Sequence, residues 1–120
     1  MVYASETLAL AALEYLVHVD PANAPDGLVS IAAEIPDSVA IREVDLSDLP
    51  ADWRGYPAPE ALAQIGTAWA SAGSSAVLRV PSAIVPTERN YLLNPAHPEF
   101  RRIKIGVPQP FAFDPRLLKH

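Results

Sequence analysis

The chain has 120 residues, thirteen prolines, no cysteine and a formal net charge of −5. That length fits one domain with a modest core, and the missing cysteines exclude disulfides, thiolate metal sites and cysteine nucleophiles. An acidic chain has no electrostatic basis for direct nucleic-acid binding. No apolar run is long enough for a membrane-spanning helix, and no basic stretch precedes the N-terminal apolar run as in a signal peptide. A cytoplasmic setting is expected, consistent with the lack of cysteine.

Met1 to Ala4 reads as a short strand. Ser5 is a favourable helix N-cap with Glu6 in the first turn, so a helix is expected from Glu6 to Val17, ending before Asp20-Pro21. Leu28 to Ile35 alternates as a strand and Val39 to Val44 is a second candidate. Asp45 to Pro59 is loop. Pro59 suits the first turn of a second helix, whose stripe Leu62, Ile65, Trp69 and Ala72 faces a core and which Gly73 closes. Ala76 to Val80 is a strand ended by Pro81. A loop holding Asn90, Asn94 and His97 follows, then a strand from Arg101 to Val107 and an edge strand within Phe111 to Leu118. Thirteen prolines break the chain into short elements, and the order is that of an α+β domain with two main helices on small mixed or antiparallel sheets.

Glu14 stands out in this pattern. It is a carboxylate in an apolar helical stretch, where such groups are rare unless paired or used. His18 lies four residues on, along the same helical face, and Tyr3 eleven residues before. A tyrosine, a carboxylate and a histidine within eighteen residues suggest a site. Each has a plainer reading: Glu14 as a solvated helix residue, Tyr3 as a packed ring, His18 as a cation at a helix C-terminus, Ser82 and Asn90 as turn formers. His18, His97 and His120 are too isolated to share a metal.

Four blocks in order resemble one family. They are Val2-Tyr3-Ala4-Ser5 with the helix ending Leu13-Glu14-Tyr15-Leu16-Val17-His18, then Leu49 to Arg54, Leu78 to Ala83, and Asn90 to Pro95. Together they are similar to the RES domain. The resemblance implies a fold like that of diphtheria-toxin-class ADP-ribosyltransferases and the toxin half of a bacterial toxin–antitoxin pair, with an Xre-type antitoxin as partner. It implies NAD as substrate, cleaved by phosphorolysis or hydrolysis at the nicotinamide–ribose bond, with no metal. It also leaves room for a homo-oligomer, and for neither a membrane nor direct nucleic-acid binding.

Carried onto this sequence, the resemblance makes Glu14 the family glutamate, Ser82 the family serine and Tyr3 the active-site tyrosine. Ser82, Asn90, His18 and Ser5 are the expected contacts to NAD. The family arginine belongs upstream of the Val-Tyr block, so an N-terminal strand and arginine segment are expected to be missing from residues 1–120, which otherwise form one RES-like domain. Two further possibilities stand beside NAD cleavage: an ADP-ribosyltransferase acting on a protein, and an inactive, truncated antitoxin-binding remnant.

Overall fold

The computed structural model describes residues 1–23 and 25–118; His120 of the histidine set lies outside them. A four-stranded sheet organises the chain. Its members are β1 (Val2–Ser5), β4 (Ile41–Glu43), β5 (Val77–Pro81) and β6 (Arg89–Leu93), in the order β1-β6-β5-β4. β6 runs antiparallel to both neighbours, whereas β4 and β5 are parallel. Parallel strands need a crossover, and α2 (Glu60–Ala72) supplies it. The first helix, α1 (Leu8–Leu16), follows β1 directly. The architecture is α+β, with two helices and small mixed sheets, as the element order implies.

The sheet separates two apolar clusters. Strand alternation sends Leu78 to one face with Val44 and Trp69, and Val77 and Leu93 to the other with Val39, Ala76 and Ile103. Trp69 is 1% exposed and its indole Nε1 donates to Ser75 Oγ at 2.8 Å, so the ring is packed and its polar atom satisfied. Gly73 closes α2 in the left-handed conformation at φ 63°, donating its N–H to Trp69 O.

Several local expectations change in three dimensions. Ser5 does not cap α1: it is the last residue of β1, and Thr7 is the cap, its Oγ1 accepting from Leu10 N at 3.1 Å. Pairing with β6 holds the backbone extended through Ser5 and delays the helix. Leu28 to Ile35 forms two short strands, β2 (Val29–Ser30) and β3 (Ala33–Glu34). These pair with β8 (Gln109–Pro110) and β7 (Lys104–Ile105) respectively. Between the two ladders, three steps from Ser30 to Ala33 face four from Ile105 to Gln109, so the ribbon carries one extra residue. Pro108 falls in that stretch and has no N–H to offer. Gly106 bridges the gap by donating to Ala32 O at 2.7 Å, and a Cβ there would sit 3.0 Å from the same oxygen.

Of the strand expected at Arg101 to Val107 only Lys104–Ile105 forms, as β7; Arg101 and Arg102 close a 3-10 turn, Pro98–Arg102, capped by His97, whose Nδ1 accepts from Glu99 N. Residues 111–114 are not strand, and Pro115–Leu118 is another 3-10 turn. Two prolines set in turn geometry override the alternation around them.

On the sheet face away from α2, Glu43 accepts hydrogen bonds from Arg79 Nε and, at 3.3 Å, from Arg89 Nε. Arg79 also lies over the Tyr91 ring, 6.0 Å from its centroid. Burial alone would raise the Glu43 carboxyl, but the hydrogen bonds and charges of both arginines outweigh it and hold the group below its ordinary value of 4.5. A depressed folded-state value gives stability that is present above the unfolded value and lost as pH falls through the folded one. Glu43→Gln is therefore expected to cost about 1 kcal/mol at neutral pH, a figure reduced because the groups are about a third exposed. The gap from wild type should shrink as pH falls below 4.5. Thermal melts across pH check this; a gap that does not change with pH would refute it.

Candidate active site

The site begins with the spacing of α1. Leu10 is fully buried and anchors the inward side of the helix. Glu14 is four residues later, one turn along on the same side, so its carboxylate is carried toward the sheet rather than to solvent. It is half-buried.

Two side chains remote in sequence meet it there. Ser82 Oγ donates to Glu14 Oε2 at 2.9 Å, and Asn90 Nδ2 donates to the same oxygen. The positions are 68 and 76 residues from Glu14, so no local pattern brings them together. Among the described residues, no protein group donates to Oε1.

Ser82 follows Pro81, the last residue of β5, and opens the turn into β6. Its Oγ accepts from Ile84 N and Val85 N, both at 3.1 Å, while donating to Glu14. One donor and two acceptor positions are thus all filled. The residue is 0% exposed. The structure places Ser82 behind the carboxylate, as a hook joining the turn to α1, and not on the surface a ligand would touch.

Asn90 lies in β6, not in a loop, and its register partner is Ser5. Ser5 Oγ donates to Asn90 Oδ1 at 2.7 Å. Because a carboxylate can only accept, the amide must turn its nitrogen to Glu14 and its oxygen to Ser5. A directed relay results, from Ser5 to Asn90 to Glu14, crossing two strands and a helix.

A cavity of about 420 Å³ opens beside this carboxylate. Glu14, Asn90, Tyr3, Trp53, Leu62 and Gly66 are among its walls. It is mainly apolar, with the carboxylate and amide as convergent polar groups, as small-molecule sites commonly are. Tyr3 is 75% exposed, stands at the edge of this cavity and makes no hydrogen bond among the described residues. A larger hollow of about 690 Å³ lies between α1, β1 and the β2–β8 ribbon. Glu14 and Asn90 are absent from its walls, so the smaller cavity is the one with chemistry.

The sequence-derived residues therefore separate. Glu14, Asn90 and Tyr3 share a cavity. Ser5 and Ser82 lie outside its walls and hold two of its members. His18 lies past the end of α1, exposed, and among the described residues makes no side-chain hydrogen bond to Glu14; α1 stops at Leu16, before a further turn could align the two. Trp53 is the wall that residue-by-residue reasoning passed over. Its signals were an aromatic inside a proline-rich loop and a place in the Leu49 to Arg54 block.

An α+β domain with one helix-borne carboxylate, held by two polar side chains at an apolar cavity, has the form of a small-molecule active site. The pattern described as the RES domain matches residues 1–114, and the chain belongs to the RES domain family. Toxin Res of Yersinia enterocolitica is 43% identical over 97% of this chain and 76% of its own length. The Prs ADP-ribosylating toxin of a Sphingobium species is 39% identical, over 99% and 75%. Toxin Res of Photorhabdus laumondii is 35% identical, over 98% and 76%. Among the described residues, no helix is long and apolar enough to cross a membrane.

Proposed function

We propose that this chain is a toxin-type domain that consumes NAD by breaking its nicotinamide–ribose bond. The observation that carries this is the Glu14 carboxylate, held by Ser82 and Asn90 with one oxygen unclaimed among the described residues, beside an apolar cavity edged by Tyr3 and Trp53.

The chemistry asks for little else. When the bond from the ribose carbon to the pyridinium nitrogen breaks, its electron pair passes to the nitrogen and nicotinamide leaves neutral. No proton has to be delivered to the leaving group, unlike the two-carboxylate cleavage of ordinary glycosides. Positive charge grows on the ribose, and a fixed carboxylate stabilises it or holds a ribose hydroxyl. An acceptor oxygen then bonds to the carbon and releases its proton to solvent. Tyr3 and Trp53 offer ring faces for the base. Ser5, Ser82 and Asn90 hold the carboxylate in position, and preorganised placement is what such a site needs.

Phosphate and water are the acceptors in this reading, an Xre-type antitoxin is the partner, and the cytoplasm is the setting. A second reading has support of its own: one relative is named an ADP-ribosylating toxin, and a protein side chain as acceptor would use the same carboxylate. Incubation with NAD, with and without phosphate, tests the proposal. Free nicotinamide, with a ribose-phosphate product when phosphate is present, is expected. Labelled protein would favour the second reading, and no nicotinamide release would overturn both.

Within this reading, Ser5→Ala frees the Asn90 amide to rotate. Nicotinamide release should fall about three- to tenfold in kcat, as for loss of one neutral hydrogen bond, with KM nearly unchanged. Ser5→Thr keeps the hydroxyl and should restore most of the rate. A kcat for Ser5→Ala equal to wild type would show the relay to be idle.

A further inference from the structure

We infer that Arg54 forms a phosphate-binding contact at the mouth of the Glu14 cavity, gripping the pyrophosphate of a dinucleotide. The inference rests on the NAD reading above and adds to it the part of the substrate that the carboxylate cannot recognise.

Three observations converge on Arg54. First, its Nε donates to Ala83 O at 2.8 Å. Ala83 immediately follows Ser82, whose hydroxyl holds Glu14. Two adjacent residues thus fix both groups, Ser82 through its side chain and Ala83 through its carbonyl. Second, Ala83 and Trp53 both line the cavity that holds Glu14; Arg54 is not itself a wall, but it is bonded to one of these residues and follows the other in the chain. Third, Arg54 is exposed, and among the described residues no carboxylate pairs with it. Arg79 and Arg89, by contrast, are both engaged with Glu43.

The geometry of the anchor matters. A guanidinium bound through Nε to a carbonyl has its plane set, yet keeps the two terminal nitrogens as a parallel fork. That fork matches two oxygens of a phosphate, a recognition that lysine's single point charge does not reproduce. The chain is acidic overall, so an anionic ligand needs a local cation of this kind to dock beside a carboxylate. The occupant defined by the pair is one molecule with a cationic ribosyl end near Glu14 and a phosphate at the rim.

Titration calorimetry with two probes tests this: NAD, and nicotinamide riboside, which has the same scissile bond and no phosphate. Arg54→Ala should weaken NAD binding roughly ten- to hundredfold, as expected for a charge-assisted pair, and leave riboside binding unchanged. Arg54→Lys should recover only part of the loss. The inference fails if Arg54→Ala binds NAD as wild type does, or if both ligands weaken equally, the mark of a disturbed loop. Wild type that binds NAD without releasing nicotinamide would defeat the proposed reaction alone, because the Arg54 comparison would still be readable. Wild type that binds neither probe would defeat both.

Discussion

Glu14→Gln is expected to slow nicotinamide release from NAD at least a hundredfold, the scale seen when one preorganised electrostatic contact to a transition state is removed. The substitution is nearly isosteric. A glutamine carbonyl can still accept from Ser82 and Asn90 at the position of Oε2, so the cavity keeps its walls while losing its charge. The thermal midpoint should stay within a few degrees of wild type, and NAD should still bind, because the interaction removed is strongest after the ribose has become cationic. Release assayed by chromatography, with melting curves alongside, decides it. Wild-type turnover by a folded Glu14→Gln protein would remove this carboxylate from the mechanism.

Trp69→Ala should have the largest effect on folding. The indole is wholly buried between α2 and the sheet, packed with Val44 and Leu78. Truncation leaves a large cavity and takes the indole donor from Ser75 Oγ, at a cost of roughly 3–5 kcal/mol. Domains of this size have about 5–15 kcal/mol in total, so the variant should melt roughly 10–20 °C lower. Trp69→Phe keeps most of the ring and loses only the indole donor, so about 1–2 kcal/mol is expected. Similar midpoints for the Ala and Phe variants would mean that volume is not what the site supplies.

The two predictions touch opposite ends of the same β5 segment. Trp69 reaches Ser75, just before the strand, and Glu14 reaches Ser82, just after it. A partly unfolded Trp69 variant should lose activity in proportion to its folded fraction. Loss of activity well before loss of structure would show that this strand transmits core packing to the site.

Much of this protein was legible along one dimension. The Leu62, Ile65 and Trp69 spacing of α2, its Gly73 terminus, the buried Trp69 and the placing of Glu14 on a helix all depend on neighbours within a turn or two, and these appear as foreseen, whereas Ala72, expected in the same stripe, is exposed. The α+β order followed from prolines dividing periodic segments. Where proline turns compete with weak alternation, as from Arg101 to Leu118, local pattern placed only the Lys104–Ile105 strand and misled around it. The ribbon of β2, β3, β7 and β8 had to accommodate Pro108 and so broke into pairs.

Chain-local spacing sufficed to single out one carboxylate and the elements around it, because helix periodicity is a property of adjacent residues. Folding alone assigned each partner its task. Ser5 passed from helix cap to strand because β6 paired with it, Asn90 left its presumed loop for that same strand, and Ser82 sank beneath the carboxylate it holds. Contacts spanning 68 to 85 residues leave no periodic trace, and it is the sheet register that converts them into a site.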